Sequence, residues 1–379
     1  MSTFRKLRPA VLLAAVLALM AFVATGCGDD DKSSDSSSSS TAASTTADSG
    51  AKAGKVAVLL PDSKSSVRWE TQDRKYLGDA FKAAGVDATI VNAEGDKQQQ
   101  ITQAEQAITN GAKVLLLVDL DPGSGAAIIA KAHAAGVKVI DYDRLTLGGK
   151  ADYYVSFDNS KVGKLQGDGL VKCLTDAKAK TPVVAELNGS PTDNNATLFA
   201  EGYNSVLNPL YADGTYKKGP NQSVPDWDNQ QALTIFEQML QSTSNKIDGV
   251  LAANDGLANS VISALKARKL PAIPVTGQDA TSQGIQNILA GDQCMTVYKA
   301  VRAEADAASK LAIALAKGET PATTATTDNK GEKTPSVLLD PVSVTKENIN
   351  DTVIKDGFLT TKEICEGKYA KFCQENGIG

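Results

Sequence analysis

Asp141, Asp143 and Arg144 crowd the end of an apolar run in "KVIDYDRLTLGG" (138–149), directly behind Val139 and Ile140. An acid beside a base at such a place can be an ion pair, a catalytic pair or a grip on something polar. Other segments carry the same residue types at the ends of apolar runs. "PDSKSSVRWETQD" (61–73) brings Arg68 and Trp69, and "NGSPTDNN" (188–195) brings Asp193, Asn194 and Asn195. "VPDWDNQ" (224–230) brings Trp227, and "NDG" (254–256) brings Asn254 and Asp255. "GQDA" (277–280) brings Gln278 and Asp279, and "CMTVYKA" (294–300) brings Lys299. Carboxylates, carboxamides and guanidinium groups are planar and can bond two neighbouring hydroxyls at once. The chain has 2 Trp, and both fall among these polar residues. A flat indole packs on the C–H face of a pyranose, so the set suits carbohydrate recognition. Each residue alone has a plainer use, because Asp and Asn at strand ends often cap helices. Asp121, Asp193 and Asp255 stand where caps would.

The elements that must position these residues alternate in kind. "KVAVLL" (55–60), "DATIVNAEG" (87–95), "KVLLLVDLD" (113–121) and "VKVIDYDR" (137–144) read as strands. Between them, 74–85, 98–111 and 125–136 have helical spacing and stop at Gly85, Gly111 and Gly136. A second series follows "YYVSFDN" (153–159). It has helices over 161–174, 196–210, 230–243 and 257–269, and strands over 181–189, 247–256 and 273–280. This alternation predicts an α/β protein with two doubly wound, parallel-sheet lobes. Ligands of such sheets bind beyond the carboxyl ends of the strands, where the polar segments lie.

Composition removes several classes. Net charge is −5, from 39 basic and 44 acidic residues, which argues against a nucleic-acid partner. One His, His133, in a helical pattern, leaves little for metal sites or histidine catalysis, and no metal or cofactor is expected. No GxxxxGK[ST], GxGxxG, GxSxG or HExxH occurs.

The first 27 residues read as a lipoprotein signal. Arg5, Lys6 and Arg8 precede an apolar stretch, Ala10–Val23, that is short for a bilayer span, and "ATGC" ends in Cys27, the expected lipidation site. Residues 28–54 are Ser/Thr/Asp-rich and read as a disordered tether. This places the protein outside the cytoplasm, on the cell membrane, with a lipid as its only membrane contact. That compartment permits disulfides. Cys365 and Cys373 are the preferred pair, and Cys173 with Cys294 is either a second pair or two buried thiols.

The ordered set "RWETQDR", "YDR", "YYVSFDN", "GSPTDNNATLF", "NDG", "TGQDA", "MTVYK" and "NINDTVIKDGF" (348–358) closely resembles the D-xylose-binding proteins of bacterial ABC sugar importers. These have the type I periplasmic-binding fold. The resemblance runs from about Lys55 to Phe358. It implies a monomeric, non-catalytic receptor whose two lobes, joined by a three-strand hinge, close on a monosaccharide and hand it to a membrane permease. It implies a first lobe of 55–157 with 300–325, a second of 158–299 with 326–360, and a tail over 361–379. By motif, the ligand contacts would be Arg68, Trp69, Asp143, Arg144, Asn194, Asn195, Trp227, Asn254, Asp279 and Lys299, with Asp255 and Gln278 as neighbouring alternatives. Three other uses remain: a sugar-modifying enzyme with Asp143 and Asp279 as its acids, a sensing or chemotaxis receptor, and a sugar-responsive repressor. Arg144 beside Asp143 makes a poor general acid of it. The repressor lacks the DNA-binding segment it needs at the N-terminus.

Overall fold

The computed structural model describes residues 53–379. Cys27, the signal-like stretch and nearly all of the 28–54 tether lie outside the described residues. The first series builds β1 (Lys55–Leu60), α1 (Arg74–Ala83), β2 (Ala88–Asn92), α2 (Lys97–Thr109), β3 (Ala112–Leu117), α3 (Pro122–Ala134), β4 (Lys138–Tyr142) and β5 (Tyr153–Phe157). The second builds α4 (Asn159–Asp176), β6 (Val183–Asn188), α5 (Asn194–Ala212), β7 (Lys217–Ser223), α6 (Asn229–Ser242), β8 (Gly249–Ala252), α7 (Asp255–Ala267), α8 (Ser282–Ala290) and β9 (Thr296–Tyr298). Then follow α9 (Val301–Ala316), β10 (Ala325–Asn329), β11 (Glu332–Leu339), β12 (Val342–Val344), α10 (Thr361–Ile364) and α11 (Ala370–Glu375).

The first lobe has a seven-stranded sheet in the order β10-β11-β5-β4-β3-β1-β2. Its strands are parallel except β10, which runs antiparallel to β11. The central strands are near-continuous apolar runs because helices cover both faces; β5 is buried throughout. The second lobe has the order β7-β6-β8, with one further bridge from Val250 to Val275. β9 and β12 form an antiparallel pair. The chain passes between lobes three times, at β5–α4, β9–α9 and β11–β12.

Sequence features set the helix ends. Asp96, Asp121 and Asp228 cap α2, α3 and α6, each accepting two backbone N–H groups. Two glycines let α4 and α5 touch along their backbones: a Cβ on Gly163 would lie 2.0 Å from the Phe199 carbonyl oxygen, and one on Gly202 would lie 2.2 Å from that of Ser160. That contact matters because α5 starts at the cleft.

Two expectations change. Residues 326–339 belong to the first lobe, because β11 pairs with β5 from Ser336–Tyr154 to Leu339–Phe157. The third crossing therefore falls after Leu339. The 273–280 segment is not a regular strand, since it has only the bridge at Val275. β7 and α8 had no clear pattern, β7 because its side chains are polar and largely exposed. The tail bonds to the second lobe through α8: Gln286 Nε2 donates to the carbonyls of Glu363 and Ile364, and Gln283 Nε2 to the Tyr369 hydroxyl. Both cysteine pairs are disulfides, Cys365–Cys373 in the tail and Cys173–Cys294 between α4 and the approach to β9. Among the described residues no helix is long and apolar enough to cross a membrane.

Candidate ligand-binding site

The carboxyl ends of the strands of both lobes face one another across a cleft, and the cleft is lined from both sides. Arg68, Trp69, Asp143 and Arg144 come from the first lobe; Asn195, Trp227, Asn254, Gln278 and Asp279 come from the second; Lys299 comes from the β9–α9 crossing. Ser65, Ser66, Asp193 and Phe199 complete the lining. The cavity among them is about 30 Å³, room for a single water. A wider recess of about 230 Å³ adjoins it, and Arg144, Asp193 and Trp227 border both.

Asp143 is the hub. Its backbone is left-handed, at φ 62, directly after β4. A non-glycine residue there costs about 1–2 kcal/mol and needs support. The support is its own carbonyl, which accepts from Tyr154 Oη at 3.1 Å, Ser156 Oγ at 2.7 Å and Asn195 Nδ2 at 3.0 Å. The turn aims the carboxylate into the cleft, where it accepts from Arg68 Nη1 at 2.9 Å, Lys299 Nζ at 3.1 Å and Asn195 Nδ2 at 3.0 Å. Burial would push this carboxyl up, but Lys299, Arg68 and Arg144 outweigh it and hold it well below the usual carboxylate range. The same turn ends strand alternation, so Asp141 does not share Asp143's place. Asp141 accepts from Thr146 N and Oγ1, both at 2.8 Å, and fixes the loop.

Arg68 lies just before a π-helical turn, Trp69–Asp73, that leads into α1. Its Nε and Nη2 grip both oxygens of Asp73 at 2.8 Å, Nη2 also reaches Glu304 at 2.5 Å, and Nη1 reaches Asp143. One N–H of Nη1 is left over. Arg68 is therefore chiefly a strut for Asp143, and its guanidinium also lies 4.5 Å from the Trp69 ring centroid. Arg144 pairs with Asp193 at 3.2 Å and donates to the Asp119 carbonyl at 3.1 Å. Lys299 lies 5.6 Å from the Phe157 ring and 6.0 Å from the Phe199 ring; burial would lower its pKa, but Asp143 raises it and keeps it charged.

The second lobe presents caps and strained turns. Asn254 caps α7 through Leu257 N at 2.8 Å, and its Nδ2 lies 3.4 Å from the Ser65 carbonyl across the cleft. Asp193 caps α5 and also accepts from Trp227 Nε1 at 3.0 Å, so cap and site are one residue. Trp227 and Asp279 are left-handed, at φ 55 and φ 98. Gly189 gives Trp227 its place: a Cβ there would meet the indole at 2.0 Å. Asp279 accepts from Ser66 Oγ at 3.3 Å, and burial pushes its carboxyl up against the pull of Lys299 and Arg68.

One expected contact, Asn194, and one of the neighbouring alternatives, Asp255, lie elsewhere. Asn194, half-buried at the start of α5, does not line the cavity. Asp255 is fully buried behind it and accepts from Thr281 N, Thr281 Oγ1, Gln293 Nε2 and Thr296 Oγ1 at 2.7–3.0 Å. It ties α7 to β9 and the start of α8. Asp73 and Glu304, the acids behind Arg68, were missed. Glu304 had a signal: it interrupts the apolar face of α9 formed by Val301, Ala305 and Ala308. Phe199 had none, since an aromatic on an amphipathic helix reads as core.

These features define a two-lobed protein with a polar cleft that both indole rings line. The family model for the periplasmic binding protein domain matches residues 56–320. The D-xylose-binding periplasmic protein of Haemophilus influenzae is 38% identical over 311 residues, covering 82% of this chain and 92% of that protein. The D-xylose-binding periplasmic protein of Escherichia coli is 37% identical, over 83% and 93%. The multiple sugar-binding periplasmic receptor of Rhizobium radiobacter is 35% identical, over 83% and 93%. A carbohydrate transporter solute-binding protein of Chloroflexus aurantiacus, solved with D-glucose, superposes with a TM-score of 0.75 at 31% identity, covering 81% of this chain and 97% of its own. The chain belongs to the type I periplasmic sugar-binding protein family. Its relatives are solute-binding proteins, not enzymes, which fits a non-catalytic protein.

Proposed function

We propose that this protein captures a monosaccharide, D-xylose first, and delivers it to the permease of an ABC importer while anchored to the membrane through a lipid on Cys27. The observation that carries the reading is Asp143, an ionised, buried acid at a left-handed turn, fixed by both lobes in a cleft that both indoles line. An ionised acid so held accepts sugar hydroxyls strongly. Trp69 and Trp227 offer apolar faces for the ring. The cavity of about 30 Å³ is too small for a pyranose, so capture requires the lobes to part and the direct contacts of Asp143 with Lys299 and Asn195 to give way to hydroxyl contacts. The H. influenzae and E. coli relatives support a pentose. A broader aldose receptor is the second reading, favoured by the multiple sugar-binding relative and by the neighbour solved with D-glucose.

Both tryptophans line the cleft, so intrinsic fluorescence reports the site directly. Titration with xylose, ribose, arabinose, glucose and galactose, repeated by calorimetry, should give saturable binding tightest for xylose. A hexose signal without a xylose signal would sink the pentose claim. For the anchor, Cys27→Ala should move the expressed protein from the membrane to the soluble fraction; retention on the membrane would overturn it.

A further inference from the structure

Glu304 does not itself line the cavity, yet it bonds Arg68, which does. It sits on α9, the helix that follows the second crossing and packs on the first lobe. The groups facing it are Arg68, Asp73, Asp143, Tyr142, Tyr154 and Lys299, with Asp279 beyond Lys299. Four carboxyls thus share Arg68 and Lys299; Arg144 also acts on Asp143 but is paired with Asp193, so the acids stay in surplus. Glu304 and Asp73 are fully buried, and the other two carboxyls and both cations are at most 8% exposed. Tyr142 remains a phenol, since burial and Asp73 raise its pKa, and it donates to Asp73 at 2.5 Å. Burying surplus charge is expensive, and a carboxyl in that position keeps its proton instead. Geometry identifies the holder. Asp73 accepts three hydrogen bonds, and Asp143 is served by Lys299, Arg68 and Asn195. Glu304 receives only one, on Oε2 from Arg68, while Oε1 is buried with no partner.

We propose that Glu304 is a positioning residue for ligand capture: it enters the closed cleft as a neutral acid, orients Arg68 and through it Asp143, and so ties sugar affinity to pH. The proposal rests on the sugar-receptor reading above. Burial raises the Glu304 carboxyl to about 8 against the pull of Arg68, in the same direction. Closure excludes water from the cluster, so the closed form holds this proton more tightly than the open form. Closure therefore takes up a proton at neutral pH. Affinity is fully present below the open-form pKa and is lost as pH rises through the closed-form pKa, by up to tenfold per pH unit. Above that, an ionised Glu304 competes with Asp143 for Arg68.

The test is calorimetry of the wild-type chain with D-xylose and D-glucose from pH 6 to 9, in two buffers of different ionisation enthalpy. The expected result is an affinity that falls as pH rises toward about 8 and levels off above it, and an observed enthalpy at pH 7.5 that depends on the buffer. Glu304→Gln should flatten the profile and remove the buffer dependence, and Glu304→Ala should weaken binding at every pH. A pH-independent affinity with saturable binding, or a Glu304→Gln profile as steep as wild type, would overturn the proposal and leave the receptor reading standing. Absence of binding by any aldose at any pH would overturn both. The buffer comparison needs only wild type, so a misfolded variant does not block it.

Discussion

Asp143 shows what a single residue does here and how it can be removed. Asp143→Ala deletes the acceptor shared by Arg68, Lys299 and Asn195 and leaves two buried cations short of a partner. Truncating one side of a buried ion pair typically costs about 3–5 kcal/mol. Sugar affinity should therefore fall at least ~100-fold, and thermal stability should fall with it. Loss of stability with affinity retained would demote Asp143 to a strut. Gly189→Ala is a milder probe. Its Cβ needs space that the Trp227 indole occupies, so the ring must move while the polar contacts remain. We expect weakened sugar binding and an altered Trp emission in a protein that still unfolds cooperatively; unchanged emission and affinity would mean Trp227 is not part of the platform. At this scale the sequence was legible where a residue is odd for its place. Tryptophan among polar residues and acid beside base at a strand end both pointed to the cleft. Asp255 was ambiguous, because a buried hub and a cleft contact look alike directly after Asn254. Ser65 and Ser66 carried no signal of their own.

Elements were legible where periodicity matched burial. The parallel strands announced themselves as apolar runs, α2 by its terminal glycine, and α3 by its Asp cap and terminal glycine. β7 and β10 lie at sheet edges, largely exposed and polar, so no hydrophobic pattern marks them. That is why the third crossing was placed too early: β11, beside β10, passes for second-lobe sequence until its pairing with β5 is seen. The two disulfides offer a test at this scale. Cys173–Cys294 closes a separation of 121 residues and joins α4 to the segment leading into β9 and Lys299, whereas Cys365–Cys373 closes only 8. Loop-closure entropy favours the longer link by about 2 kcal/mol. Cys173→Ser with Cys294→Ser should lower Tm by more than Cys365→Ser with Cys373→Ser. The reverse order would mean that the tail, not the α4–β9 link, limits stability.

The whole molecule carries an unusual reserve of buried acid, and its stability should depend on pH in the direction opposite to that of most ion-paired proteins. Burial, helped by Asp193 and Asp121 and opposed by Arg144, raises Asp119 to about 7. Burial raises Asp255 to about 7 and Glu304 to about 8, and lifts Asp141 as well. In the unfolded chain such groups titrate near 4. Between about pH 4 and 7 the folded protein therefore holds protons that the unfolded chain has released, and unfolding free energy falls as pH rises through that window. Asp143 opposes this, because its low native pKa makes a contribution that is lost only in acid. Its influence is complete above about pH 5 and cannot alter the slope there. Sugar-free protein at constant ionic strength should thus show a Tm that declines from pH 5 to pH 8.5. Asp255→Asn should make the decline shallower, since the amide cannot release the proton. A Tm that rises over this range would show that the buried acids are ionised and that their hydrogen-bond donors, for Asp255 chiefly Gln293 and Thr296, outweigh the cost of burying them.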